Sequence, residues 1–210
     1  RSIRSMANGE IYNSRELIPR LKARGHDFRT RVDTEVIPHL YEEYGVDLVD
    51  HLDGMFAFCI WDERTRTLLL GRDRAGEKPL FYWWRGGELV FASELRAILA
   101  HPRVPRAVDP VALRRYLLHD YFPAPLSPIA GIRKLPAGHI LTLRDEHLAL
   151  LAERMAGNSY AARALDHLFD SPMTTVRRME SHLSASYKTA NKIIGEFESL
   201  GLLREIMGYK

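Results

Sequence analysis

The stretch between Gly54 and Ser93 constrains the fold most. Four short apolar runs follow one another there: GMFAFCIWD (Gly54–Asp62), RTLLLGRD (Arg66–Asp73), LFYWW (Leu80–Trp84) and ELVFAS (Glu88–Ser93). Asp, Gly and Pro residues break them apart. Short runs rich in aromatic and aliphatic residues, bounded by turn formers, are strands. Spacing this tight favours antiparallel pairing, and so many apolar strands need two packed layers to bury them. GHILTL (Gly138–Leu143) is a further strand candidate.

Helical periodicity separates these strands from the ends of the chain. SRELIPRLKARG is a helix stopped at Gly25, and TEVIPHLYEEYG is one stopped at Gly45. Glycine just past the last helical residue supplies the left-handed cap. ELRAILAH is a third. DPVALRRYLLHDYF is a fourth, with Asp109 as N-cap and Pro110 at the first helical position. Beyond about residue 150 the texture becomes all short helices. NSYAARALDHLFD, TTVRRMESHLS (capped by Thr174 or Thr175) and SYKTANKIIGEFESLGLL (Ser186 to Gly201) precede LLREIMGYK, which reads as the first strand of a hairpin. Three helices and a β tail are the layout of a winged helix-turn-helix. Two domains are therefore expected, residues 1–148 and 155–210.

Composition excludes several classes. With 46% apolar and 27% charged residues the 210-residue chain is an ordinary globular one, and a net charge of +3 gives no global case for nucleic acid or an acidic membrane. Cys59 is the one cysteine, so no internal disulfide forms and a reducing, cytoplasmic setting is the default. No run approaches the ~20 apolar residues of a membrane span, and no signal peptide is visible. The nine histidines show no metal-ligand spacing. The chain begins at Arg1, from which we expect that the natural start lies upstream.

The ordered segments NGEIYN, LKARGHDFRT, DTEVIPHLYEEYG, LDGMFAFCIWD, GRDRAGEKPLFYW, FASELRAIL and GIRKLPAGHILTL together resemble the glutaminase domain of glutamine-dependent asparagine synthetases. These are class II amidotransferases of the N-terminal-nucleophile hydrolase fold. The resemblance implies an α+β, αββα sandwich. It makes Asn8 and the backbone N–H of Gly9 an oxyanion hole, a role that suits donors aimed at a developing negative charge. It makes Glu10 and Asp33 holders of the charged ends of L-glutamine, with Asp33 facing the α-ammonium. By itself Asn8-Gly9 is a turn leading into a helix, and Asp33 an N-cap for the helix that follows.

Other family features are missing from the sequence. The family nucleophile is a cysteine at the mature N-terminus, where this chain has Arg1. The arginine-containing stretch that clamps the glutamine carboxylate, and a further loop, have no counterpart. Val32 stands where the family has a small polar residue. Cys59, in an apolar strand, reads as a buried thiol rather than a substitute. The sandwich is thus expected to be incomplete and catalytically dead, with open sheet edges that invite self-association and poor solubility of residues 1–148 alone. No Ser-Gly-Gly-x-Asp-Ser loop for ATP pyrophosphate is present, so ATP and Mg²⁺ belong to the intact synthetase family and no cofactor to this chain. GRDRAGEKP fits no phosphate cradle, and the resemblance makes it structural.

The segment from ARALDHLFD to the end resembles the C-terminal winged helix of Fic-family proteins, although the Fic catalytic motif is absent. Its third helix would be the recognition helix. Tyr187, Lys188, Thr189, Asn191 and Lys192 in its first two turns are the candidate DNA contacts. Basic and acidic residues nearly balance in this segment, and Glu196 and Glu198 share the same helix. DNA binding and protein docking stay open alternatives. Families not normally joined imply a truncated or chimeric chain, with a natural fusion as the alternative.

Overall fold

The fold is that of a computed structural model, which describes residues 2–144, 160, 163–164 and 176–199. The chain divides into two compact units, Arg1–Trp83 with Val90–Arg144, and Trp84–Leu89 with Asp145–Lys210.

The larger unit opens with strand β1 (Ile3–Ile11), helix α1 (Ser14–Ala23) and helix α2 (Val36–Tyr44). A 3₁₀ turn, Asp33–Glu35, leads into α2. Strands β2 (Gly54–Asp62) and β3 (Thr67–Arg72) form a hairpin, followed by β4 (Phe81–Arg85) and β5 (Glu88–Ala92), whose linked ends Trp84–Leu89 fall in the second unit. Helix α3 (Leu95–Leu99), helix α4 (Pro110–His119), β6 (Ile132–Lys134) and β7 (Ile140–Arg144) complete it. One sheet has the order β1-β2-β3-β7 and the other β5-β4-β6. The assigned pairs are antiparallel, as the short spacings require.

Strand alternation sorts β2 into two faces. Phe56, Phe58 and Ile60 pack with Leu17, Leu21, Ile37 and Leu40 of α1 and α2. Ala57 and Cys59 face the other way, into a pocket shared with Leu80, Phe91 and Ala92. Beyond the second sheet, Ile98 of α3 packs with Trp83 and Ile132.

The caps follow the sequence. Gly25 (φ +91°) and Gly45 (φ +58°) end α1 and α2 in the left-handed region. The Asp109 carboxylate accepts from the N–H groups of Val111 (2.9 Å) and Ala112 (3.0 Å). α3 is shorter than the periodicity of ELRAILAH suggests. β6 was not legible as a strand, being only three residues long.

The described residues of the second unit include two helices, α5 (Val176–Leu183) and α6 (Tyr187–Ser199). A tight turn joins them: Ser184 takes φ +51°, and the Ser186 hydroxyl accepts from the Thr189 N–H at 3.3 Å. Met179, Leu183, Ala190 and Ile193 are buried, as is Ala164 upstream. This agrees with two of the expected helices. Thr174, Thr175, Gly201 and the hairpin candidate LLREIMGYK lie outside the described residues.

Candidate functional site at the edge of the first sheet

Asn8, Gly9 and Glu10 are not a turn. They continue β1, in register with Ala57, Phe56 and Met55 of β2. The turn comes later, at Tyr12 and Asn13. Asn13 fixes it: its side chain donates to the His51 carbonyl at 2.9 Å and accepts from the Asp53 N–H at 3.1 Å.

A strand conformation is possible at Gly9 because of what it lacks. Its φ is +145°, and a Cβ there would stand 2.0 Å from the Met55 carbonyl oxygen. At Gly54, φ +153° across the ladder, a Cβ would stand 2.1 Å from the Glu10 carbonyl oxygen. Two glycines on neighbouring strands let the backbones close where side chains would hold them apart.

Ladder geometry then fixes where the Gly9 N–H points. Phe56, its partner, turns its backbone toward β3: its carbonyl accepts from the Asp73 N–H at 2.8 Å, and its N–H donates to the Asp73 carboxylate at 3.3 Å. Gly9 and Phe56 are therefore a non-hydrogen-bonded pair, and Gly9 directs its N–H away from β2. β1 is the edge of its sheet, so that direction is the open edge. Ile11, two residues on, has the same parity. Its N–H also points outward, and the Asp33 carboxylate accepts from it at 2.6 Å. Asp33 makes no capping bond to the helix behind it; the N-cap expectation is replaced by this tie to β1.

Asn8 and Glu10 occupy exposed positions of opposite parity to Gly9, on the face of β1 that β2 continues with Ala57 and Cys59. Asn8, Met6, Ala57 and Cys59 line one pocket. The fold thus brings Asn8, Gly9, Glu10 and Asp33 to one end of one edge strand. Tyr187, Lys188, Asn191 and Lys192 are exposed and Thr189 is half-buried on α6, in the other unit.

Sequence reading missed Tyr12 and the depth of the Asp73 role. The Tyr12 phenol lies above its ordinary range, by desolvation first and then by the carboxylates of Glu77, Glu10, Asp53 and Asp73. Cys59 is 8% exposed, and burial pushes its thiol up to about 11. Its thiolate fraction at pH 7 is only about one in ten thousand.

The loop GRDRAGEKP is built around two adjacent charges. Asp73, 1% exposed, also accepts from the N–H groups of Glu77 and Lys78, both at 3.0 Å. Arg72 donates to the carbonyls of Lys78 (2.7 Å), Leu135 (2.6 Å) and Gly76. These groups are spent on the protein's own backbone, as the structural expectation for this loop required.

The glutamine amidotransferase domain family matches residues 2–154. The chain belongs to this family. Asparagine synthetase (glutamine-hydrolyzing) 3 of Bacillus subtilis (strain 168) is 43% identical over 142 residues, 67% of this chain and 23% of that protein. A putative asparagine synthetase (glutamine-hydrolyzing) 2 of Methanocaldococcus jannaschii is 39% identical over 132 residues, 62% of this chain and 25% of its own length. The amidotransferase chain thus spans about a quarter of these curated relatives. Among solved structures, the glutamine phosphoribosylpyrophosphate amidotransferase from B. subtilis complexed with ADP and GMP aligns with 69% of this chain and 27% of its own, at 24% identity and a TM-score of 0.47. No helix among the described residues is long and apolar enough to cross a membrane.

Proposed function

We propose that this domain holds L-glutamine as the glutaminase part of an asparagine-synthetase-type enzyme does. The open edge of β1 carries the proposal: the outward Gly9 N–H stands beside Asn8 and two residues from an N–H that Asp33 already occupies. The glutamine side-chain carbonyl accepts from the Gly9 N–H and the Asn8 amide. Both donors strengthen as the carbonyl becomes a tetrahedral oxyanion. Asp33 and Glu10 take the charged end, a carboxylate facing the α-ammonium in a charge-assisted hydrogen bond.

The described residues supply binding and oxyanion stabilisation, and Cys59, buried and protonated, is not the nucleophile. The chain also needs neither ATP nor Mg²⁺ for that part. Titration calorimetry should show one L-glutamine per chain, weakened at least about tenfold by Asp33→Asn, which removes the charge but keeps an acceptor for the Ile11 N–H. Ammonia release should stay at background and be the same in Cys59→Ala. Absence of glutamine binding, or ammonia release that vanishes in Cys59→Ala, refutes this assignment.

For the second unit we infer a winged helix-turn-helix of Fic-like type that contacts duplex DNA through α6. Tyr187 and Asn191, and Lys188 and Lys192, are i, i+4 pairs exposed on the helix that follows the tight turn. Mobility-shift titrations at low salt should show binding that falls with salt, with the log–log slope about one unit shallower in Lys188→Ala. No shift at low salt leaves protein docking as the role of this unit.

A further inference from the structure

The fold brings together a group of side chains that no amidotransferase role uses. His26 follows the Gly25 cap of α1, while His39 and Glu42 lie on α2. His26 Nδ1 and His39 Nδ1 are 3.0 Å apart. One Glu42 carboxylate oxygen stands 3.3 Å from the first and 3.6 Å from the second. We propose that His26, His39 and Glu42 form a binding site for Zn²⁺, with a fourth position open to water.

The triangle of donors has the size that zinc requires. Bonds of about 2.0–2.1 Å in a tetrahedron put neighbouring ligands about 3.3–3.4 Å apart. The observed edges of 3.0, 3.3 and 3.6 Å bracket that value. The donor set, two imidazole nitrogens and a carboxylate, is the kind found in zinc sites that keep one position free.

The outer contacts prepare the ligands. His26 Nε2 lies 2.9 Å from the Glu43 carboxylate, and a carboxylate must receive a proton from it. That leaves Nδ1 of His26 with a lone pair aimed at the other two donors. Glu43 is itself held by Arg24 at 2.6 Å. A carboxylate behind a ligating histidine fixes its tautomer and raises its basicity. The Phe28 ring, 4.4 Å from the His39 ring, fixes the second imidazole, which is fully buried. When no metal is bound, the short Nδ1–Nδ1 contact holds a proton between the two rings, and a metal ion would take that proton's place between the two nitrogens.

The sequence hid this site. His26 and His39 are thirteen residues apart with a loop between them, a spacing outside the short ligand intervals that mark zinc sites in a sequence. The site pins the start of that loop to α2. Nothing in it depends on glutamine, so it stands or falls separately from the amidotransferase assignment.

The test is calorimetric titration of the metal-stripped 210-residue chain with ZnCl₂, together with visible spectra of the Co²⁺-substituted chain. The expected result is one Zn²⁺ per chain with Kd below about 10 μM and the intense bands of tetrahedral Co²⁺. Zinc at a hundredfold excess over Kd should raise Tm by roughly 5–10 °C. His39 is buried and its removal endangers folding, so the informative variants are His26→Ala, Glu42→Gln and Glu43→Gln. The first two should weaken binding by about a hundredfold or more, and the third, outside the metal's own ligands, by about tenfold. Weaker binding than the stated Kd, or affinity that His26→Ala and Glu42→Gln leave unchanged, overturns the proposal.

Discussion

Asp73→Ala is expected to lower Tm by roughly 10 °C, among the largest effects of any single substitution in this domain. The substitution removes one carboxylate and strands three backbone donors, the N–H groups of Phe56, Glu77 and Lys78. Each buried donor left unsatisfied costs about 1–3 kcal/mol. Water can reach part of the opened loop, so the total lies nearer about 3–5 kcal/mol. At this chain length each kcal/mol moves Tm by about 2–4 °C. Asp73→Asn should fall between, because one oxygen remains to accept while the amide nitrogen faces donors.

The same carboxylate makes the effect depend on pH. Desolvation acts to raise the Asp73 pKa, but the N–H groups of Lys78, Glu77 and Phe56 that donate to the carboxylate outweigh it and hold it below the ordinary 3.8. A depressed folded-state pKa gives stability that is present above the unfolded value and is lost as pH falls through the folded one. The stability gap between the native chain and Asp73→Ala should therefore be full near neutrality and begin to narrow below pH 3.8. Denaturant titrations at several pH values measure that gap directly. A gap that stays constant into strong acid would mean that the carboxylate charge is not what organises the loop.

Much of the fold was legible because the deciding signals are local. Asp109-Pro110 caps a helix with its own carboxylate, and Gly25 and Gly45 stop helices by their own backbone freedom. The four apolar runs announce strands because each carries enough apolar area to need a partner face. What could not be read depends on residues far apart in sequence. Asn8-Gly9 has the local chemistry of a turn, yet β2 and its Gly54 draw it into a strand. Asp33 has the chemistry of an N-cap, yet its carboxylate meets Ile11 across 22 positions. Asp73 is an ordinary loop aspartate until the backbone folds around it. The candidate site was nameable only through family resemblance. The edge direction of the Gly9 N–H, which gives that residue its proposed role, follows from ladder parity and from no property of the residue itself.

Gly9→Ala tests that parity and the site together. A methyl group at Gly9 would sit 2.0 Å from the Met55 carbonyl oxygen and 2.7 Å from the Phe56 Cα, both backbone atoms that no rotamer change can move. The strands must part locally, which breaks ladder pairs on either side. A φ of +145° that alanine rarely adopts adds about 1–3 kcal/mol, and the overpacking about 1–3 kcal/mol more. The expected result is a fall in Tm of roughly 10 °C, loss of hydrogen-exchange protection along β1, and loss of glutamine binding as the Gly9 N–H swings off the edge. Gly25→Ala is the control that separates the two causes. Gly25 also has a positive φ, +91°, but nothing lies within 4 Å of the position its Cβ would take. It therefore pays for backbone strain alone, and should cost about 1 kcal/mol and leave glutamine binding intact. If Gly9→Ala proves no worse than Gly25→Ala, the two strands do not close as described. The Gly9 N–H would then have no fixed direction, and the oxyanion role would lose its physical basis.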